Sequence, residues 1–481
     1  MARVRIVATI GPASANKGTL KRMIESGMNI ARLNFSHGSL REHKEKIRLI
    51  REAASEVGRP VAILADLQGP RIRIGDLPQP MTLKEGEEVI LAPKEKGLGE
   101  GRLPTDYEKL ASDLSPGDPI LVDDGEIELT VLESIGDEVR CRVKVGGEVS
   151  SHKGINLPGV EVSAPALTDK DKADLKFALA EGVDYIAISF VKRKEDILEA
   201  KRLIEEEGAD VPVIAKIERA QAIGRLTEIL EVADGVMVAR GDLGVELPLE
   251  EVPPLQKRMI NEANRRGILV ITATQMLESM TDSPRPTRAE VSDVANAVFD
   301  GTDAVMLSGE TAAGRYPIRA VDMMREIIEE AEKHGEFFVG PSFNAHLLPD
   351  RFLLSDSLCA AASSAASILK AKAVVVMTQS GLTARLVSKY RPEVPIIAFT
   401  PNERIYRRMS LYWGVSPRMI EEIREVAPLI KRMEERLMAE DRFSEGDTVV
   451  IILGFPVASR PPANLLKLHR IGESKDYPKG R

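Results

Sequence analysis

Eight short runs rich in Val, Ile and Ala, separated by helix-length stretches, restrict this chain more than any other feature of it. They are Arg3–Ile10, Asn29–Asn34, Val61–Asp66, Asp184–Phe190, Pro212–Glu218, Gly235–Asp242, Ile268–Gln275 and Ala304–Glu310. Near-continuous apolar runs of this kind are strands buried on both faces, as in a parallel sheet. The segments between them, such as Leu40–Gly58, Lys192–Gly208 and Leu249–Gly267, carry helical spacing and stop at glycine. Eight strand–helix units predict an α/β chain built on a closed (β/α)8 TIM barrel. An open doubly wound sheet is the rival, and the count of eight favours closure.

One gap breaks the rhythm. About 115 residues separate the third and fourth runs, too many for a crossover connection. Inside it the period becomes two: Ile127, Leu129 and Val131 alternate with Glu126, Glu128 and Thr130, and Val139, Cys141, Val143 and Val145 with Arg140, Arg142 and Lys144. Pro116-Gly117-Asp118, Asp123-Asp124-Gly125 and Gly146-Gly147 supply the turns. A small all-β, barrel-like domain, residues 70–156, is therefore expected to sit as a lid over the barrel mouth. The barrel itself takes residues 1–69 and 157–338. Beyond a linker marked by Gly340-Pro341 and Pro349, residues 350–481 read as a separate α/β domain, with a helix over Ser355–Leu369 and strands at Ala373–Met377, Ile396–Thr400 and Thr448–Leu453.

Charge and cysteine content remove several function classes. Lys and Arg total 66 against 74 Asp and Glu, a net charge of −8, which argues against a phosphate-backbone binder. Cys141 and Cys359 lie far apart and the six histidines are scattered, so neither a disulfide framework nor a zinc site is supported. No apolar run approaches the ~20 residues of a membrane span, and the start MARVRIVATIGP has no signal-peptide pattern. A cytoplasmic protein that meets neither nucleic acid nor membrane is expected.

In such a barrel the chemistry sits at the C-terminal ends of the strands. Here those ends are polar: Arg32, Asn34, Ser36 and His37 after the second run, Asp66 through Arg73 after the third, then Lys216 and Glu218, Arg240-Gly241-Asp242, Thr274-Gln275, and Ser308-Gly309-Glu310. Lys216 and Glu218 stand two apart on a strand and share a face. Alone they are an ordinary ion pair. With Asp242 at the rim of the next strand they form a hard-oxygen site suited to Mg2+ or Mn2+ beside reacting phosphates. Arg32 and Arg73 add guanidinium forks that match phosphate or carboxylate, and free N–H groups around Gly241 and Asp242 would receive an anion. Asn34, Ser36 and Asp66 offer oxygens for a monovalent cation, or simply cap two helices. No P-loop, protein-kinase set or dinucleotide fingerprint is present, so any phosphate is handled at this rim.

The strings NIARLNFSHG, KGINLPG, IAKIE, ARGDLGVE, TATQMLESM, PRPTRAEVSDVANAVFDGTDAVMLSGETAAGRYP and SGLTARLVSKYRP together resemble the pyruvate kinase family, in its order and across all three proposed domains. The resemblance implies transfer of the phosphoryl group of phosphoenolpyruvate to ADP, giving pyruvate and ATP, with Mg2+ or Mn2+ as cofactor. It implies divalent-metal ligands at Glu218 and Asp242 and a phosphoryl-stabilising Lys216. Substrate binding falls to Arg32, Lys216, Gly241, Asp242 and Thr274, and nucleotide contacts to Asn34, Phe35, Ser36, His37, Arg73 and Lys153. Protonation of the enolate is assigned to a water near Thr274 and Ser308. A monovalent site would comprise Asn34, Ser36, Asp66 and Leu67. The family commonly reads DTKGPEIR where this chain has Asp66-Leu67-Gln68-Gly69-Pro70-Arg71-Ile72-Arg73. Arg71 is expected to place a guanidinium beside Asp66 and remove the need for K+.

In the last domain Thr378, Ser380, Gly381 and Thr383 open a helix, and either cap it or cradle a phosphorylated effector, with Gly454–Pro462 as an opposing loop. The family resemblance also suggests a homotetramer. A metal-dependent lyase or aldolase, or a sensor that binds without reacting, are the rival readings. A lyase has no second nucleotide for the inserted lid to cover, and intact Lys216, Glu218, Asp242 and Thr274 speak against a sensor.

Overall fold

The computed structural model describes residues 2–99, 101–335, 350–457 and 461–476. The expected linker around Gly340 and Pro349, and residues 458–460 of the Gly454–Pro462 loop, lie outside the described residues. Eight parallel strands close into a barrel: β1 (Arg5–Thr9), β2 (Met28–Asn34), β3 (Ala62–Asp66), β4 (Tyr185–Ile188), β5 (Val213–Ile217), β6 (Gly235–Ala239), β7 (Leu269–Ala273) and β8 (Ala304–Leu307). Each pairs with its sequence neighbours, and β1 pairs with β8. Strand alternation divides the side chains. Ile6, Ile63, Val213, Val236 and Val305 point outward to the helices, while Val7, Leu64, Ile214, Met237 and Met306 fill the interior.

The chain between β3 and β4 forms a seven-stranded sheet and a two-stranded ribbon. Its long hairpin, Ile127–Ile135 with Glu138–Val145, buries Ile127, Leu129, Val131, Val139, Cys141 and Val143 as the alternation requires. Val145 departs from that pattern and is exposed, because the pairing register shifts between Val143 and Val145. These side chains form a core of their own.

The C-terminal sheet has five strands, β9 (Ala373–Met377), β10 (Ile396–Thr400), β11 (Val415–Met419), β12 (Thr448–Leu453) and β13 (Leu465–Arg470), in the order β11-β10-β9-β12-β13 with only β13 antiparallel. Two of these, β11 and β13, were not expected. Pro417 inside β11 is tolerated because β11 is an edge. The C-terminal unit also seals the lower end of the barrel: Met409, Leu411 and Tyr412 belong to the same buried cluster as the barrel interior. There the buried Tyr185 hydroxyl of β4 donates to the Arg408 carbonyl at 2.8 Å. Tyr185→Phe is expected to lower stability by about 1 kcal/mol, read as a lower thermal midpoint; an unchanged midpoint would assign that bond no weight. Among the described residues no helix is long and apolar enough to cross a membrane.

Candidate active site

The upper rim gathers the residues that the strand ends point to. Lys216 faces inward near the end of β5, and its side chain is 12% exposed. Its ammonium lies 2.7 Å from Glu218 Oε1, 3.3 Å from Asp66 Oδ1 and 2.7 Å from the Ser189 hydroxyl. Burial disfavours that charge, but Asp66 and Glu218 outweigh it and hold the amine protonated above its ordinary range. Asp66 receives Arg32 Nε on its other oxygen at 2.7 Å, and Arg32 also donates to the Thr9 hydroxyl at 3.0 Å. Burial would raise the Asp66 carboxyl; Lys216 and Arg32 bring it below the usual range instead.

Glu218 follows β5 directly and is buried. Its second oxygen accepts the Phe190 N–H at 2.7 Å. Phe190 holds a left-handed backbone, φ 55°, which a bulky residue adopts only under constraint. Asp242 does not sit on the sixth strand as expected. That strand stops at Ala239, and Asp242 lies in the first turn of the short helix Arg240–Glu246. Burial, then the charge of Glu218, pushes its carboxyl up to about 6. Among the described residues no side-chain donor reaches the Asp242 carboxylate. Two neighbouring carboxylates, of which Asp242 has no direct ion pair among the described residues, are a donor set that fits a hard divalent cation. Among the described residues no group of three or more His, Cys, Asp or Glu could hold a metal. Such an ion would therefore complete its shell with substrate oxygens and water.

The expected free N–H at Gly241 is taken: it donates to Thr274 Oγ1 at 2.7 Å. Thr274 and Gln275 both have positive φ, 69° and 53°. Arg240 braces this turn, donating to the Thr274 carbonyl at 2.6 Å while its other end pairs with Asp293 at 2.6 Å. Ser308 follows β8, half-buried, with its N–H on Glu310 Oε2 at 2.6 Å. Glu310 itself is fully buried and also accepts the Leu277 N–H, so it serves the loops and not the rim.

Arg71 corrects a second expectation. Its guanidinium pairs with Asp124 of the inserted domain at 3.5 Å, and the guanidinium beside Asp66 belongs to Arg32. Of the four monovalent-site residues, three have their oxygens in use. Asn34 Oδ1 accepts the Ser36 N–H at 3.1 Å, the Asp66 carboxylate meets two cations, and the Leu67 carbonyl accepts the Ser189 hydroxyl at 2.8 Å.

Among the positions expected to meet nucleotide, His37 is largely exposed, and partial desolvation of its ring, then the charges of Arg73, Arg71 and Arg32, lowers its proton affinity. Arg73 donates to the His152 carbonyl at 3.1 Å, and Lys153 pairs with Asp123 at 2.5 Å. The Phe35 ring is not at the opening: it is buried in the core and stacks on His43 at 4.1 Å. Leu67 is likewise a core side chain. In the C-terminal unit, Thr378 Oγ1 accepts the Gly381 N–H at 2.9 Å and Ser380 Oγ the Leu382 N–H at 3.4 Å, while Thr383 is buried. Those amides are capped by the turn itself.

Ser189 and Phe190 hold this rim together, yet the sequence did not single them out for it; Arg240 was read as a rim residue but not as the brace of the Thr274 turn. The signal for Ser189 was present: it is a hydroxyl ending a strand-like run.

The sequence matches the family described as pyruvate kinase, barrel domain, over residues 1–321, and that described as pyruvate kinase, alpha/beta domain, over residues 356–469. It is 44% identical to the pyruvate kinase of Staphylococcus epidermidis, covering 98% of this chain and 81% of that one. It is 47% identical to pyruvate kinase 2 of Synechocystis, covering 94% and 76%. A crystal structure of a pyruvate kinase from Cryptosporidium parvum superposes with a TM-score of 0.91 at 35% identity, over 98% of this chain and 96% of the other. Agreement of this extent reaches the barrel, the insert and the C-terminal sheet alike, and with it the chain belongs to the pyruvate kinase family, whose members are phosphotransferases.

Proposed function

We propose that the chain transfers the phosphoryl group of phosphoenolpyruvate to ADP, giving pyruvate and ATP, at the upper rim of the barrel. The observation that carries this reading is the ammonium of Lys216 between Glu218 and Asp66, with Asp242 close enough to feel the Glu218 charge. In the transfer, the bond from phosphorus to the enol oxygen breaks and a bond from phosphorus to a terminal oxygen of ADP forms. Charge spreads over the three equatorial oxygens of a loose transition state, where a fixed ammonium is most effective. Lys216 supplies it, and its hydrogen bonds to Glu218 and Ser189 hold it in place before substrate arrives. Arg32 binds the substrate's anionic end. Glu218 and Asp242 would hold Mg2+ or Mn2+, which neutralises phosphoryl oxygens when bound. The enolate then takes a proton at carbon from a water held between Thr274 and Ser308. Arg73, Lys153 and the backbone and polar groups of Asn34 to His37 contact the nucleotide.

Activity without K+ belongs to the same reading. Asp66 is already balanced by Arg32 and Lys216, so the site does not need a further cation there. At equal ionic strength, rates in K+ and in tetramethylammonium are expected to agree within about twofold, a barrier difference under about 0.5 kcal/mol. A tenfold K+ activation would contradict it. A cytoplasmic location, a homotetrameric assembly and regulation by a phosphorylated metabolite through the C-terminal unit accompany this proposal on the strength of the family resemblance. The test of the reaction itself is simultaneous detection of pyruvate and ATP from phosphoenolpyruvate plus ADP: equal amounts support it, and pyruvate without ATP would identify a hydrolase or lyase.

A further inference from the structure

The inserted domain returns to the barrel through residues 158–166, and three alternate carbonyls of this segment are gripped from the barrel side. Gln221 Nε2 donates to Val160 O at 2.6 Å, and the Lys192 ammonium donates to both Val162 O and Ala164 O at 2.8 Å. From the insert side, Asp113 accepts the Ser163 N–H and hydroxyl at 2.9 and 2.6 Å, and also the Tyr107 hydroxyl at 2.5 Å. Val160 and Val162 belong to the insert's core. The return segment is thus rigid with the insert, and its attachment to the barrel runs through Gln221 and Lys192.

Lys192 is held in turn. Its N–H donates to Asp196 in the first turn of the helix Lys194–Glu206, and Val191 before it is fully buried. Among the described residues its ammonium has no carboxylate partner, so its hydrogen-bonding capacity goes to the two carbonyls. The two residues before Val191 touch the catalytic cluster: the Ser189 hydroxyl meets Lys216 and the Phe190 N–H meets Glu218.

We propose that Lys192 is a positioning residue that fixes the angle of the inserted domain over the barrel mouth and links that angle to Lys216 and Glu218. The inference rests on the reading that nucleotide binds beneath the insert. Loss of the clamp leaves the insert in its nucleotide-competent posture for a smaller fraction of the time. If that fraction falls tenfold, apparent nucleotide affinity falls about tenfold while intrinsic contacts stay the same.

The test uses the full chain with Lys192→Met, Lys192→Arg and Gln221→Leu. In Lys192→Met the KM for ADP is expected to rise about tenfold, with the KM for phosphoenolpyruvate within about twofold of wild type. Lys192→Arg, which retains donors, should recover most of the loss. Gln221→Leu leaves residues 189–192 untouched and should shift the KM for ADP in the same direction. The distribution of distances between spin labels at Ile135→Cys on the insert and Leu198→Cys on the barrel, both exposed positions, should broaden in Lys192→Met, a readout that needs no activity and so separates failure of the clamp from failure of the functional reading. An unchanged distribution would overturn the proposal. Equal rises in both KM values would also overturn it, since they would place the effect on the catalytic cluster alone.

Discussion

Lys216→Met is expected to lower turnover by at least about 10³-fold, a loss of roughly 4 kcal/mol of transition-state stabilisation. Methionine keeps the length of the side chain and deletes the charge. The deleted charge is the one that three neighbours orient: Glu218, Asp66 and Ser189 all lie within hydrogen-bonding or ion-pairing distance of it. An exposed lysine replaced in this way would change little. Here the ammonium is protonated and aimed before substrate binds, so no reorganisation is needed as charge develops on the phosphoryl oxygens. The variant also leaves two buried carboxylates with less compensation. Arg32 still faces Asp66 and Phe190 N–H still faces Glu218, so the destabilisation is expected to be on the order of 3 kcal/mol and the chain to remain folded, which circular dichroism checks. Turnover within tenfold of wild type would remove Lys216 from the chemistry.

Glu218→Gln should weaken Mn2+ binding, followed by the electron paramagnetic resonance of the free ion, by about 100-fold or more. The substitution keeps the volume and an acceptor for the Phe190 N–H, so the strained backbone at Phe190 keeps its partner. What goes is the negative charge that, with Asp242, would compensate a divalent ion. The same change removes the neighbour that raises the Asp242 carboxyl. Retention of wild-type Mn2+ affinity would mean that the ion sits elsewhere.

The barrel was legible because its strands are apolar on both faces and the helices between them are not. The rim was legible for a related reason: a polar residue at the end of such a strand has little business in the core, and Arg32, Lys216, Glu218 and Thr274 were read that way. What periodicity cannot give is where a strand stops. Asp242 looked like a strand residue and lies in a helix, because the apolar run ends at Ala239 and Gly241 packs close to Thr274. Pairings between distant segments were also hidden. Arg71 was expected beside Asp66, but the fold of the insert brings Asp124 to it and leaves Asp66 to Arg32. Phe35 sits in a motif that implied nucleotide contact, yet its ring faces Phe177 and His43 in the core, so only the backbone and polar neighbours of that motif remain at the opening. Phe190 acts through a backbone N–H, which leaves no signal in the sequence, whereas Ser189 was marked only as a hydroxyl near the end of a strand-like run.

One divalent ion and one phosphoryl group are expected to meet between Glu218, Asp242 and Lys216. The phosphorus resonance of bound phosphoenolpyruvate in the presence of Mn2+ tests it directly, since paramagnetic broadening demands that ion and phosphorus be close. Strong broadening is predicted for the wild type and for Lys216→Met, with broadening lost in Glu218→Gln. Equal broadening in Glu218→Gln, or none in the wild type, would contradict the account.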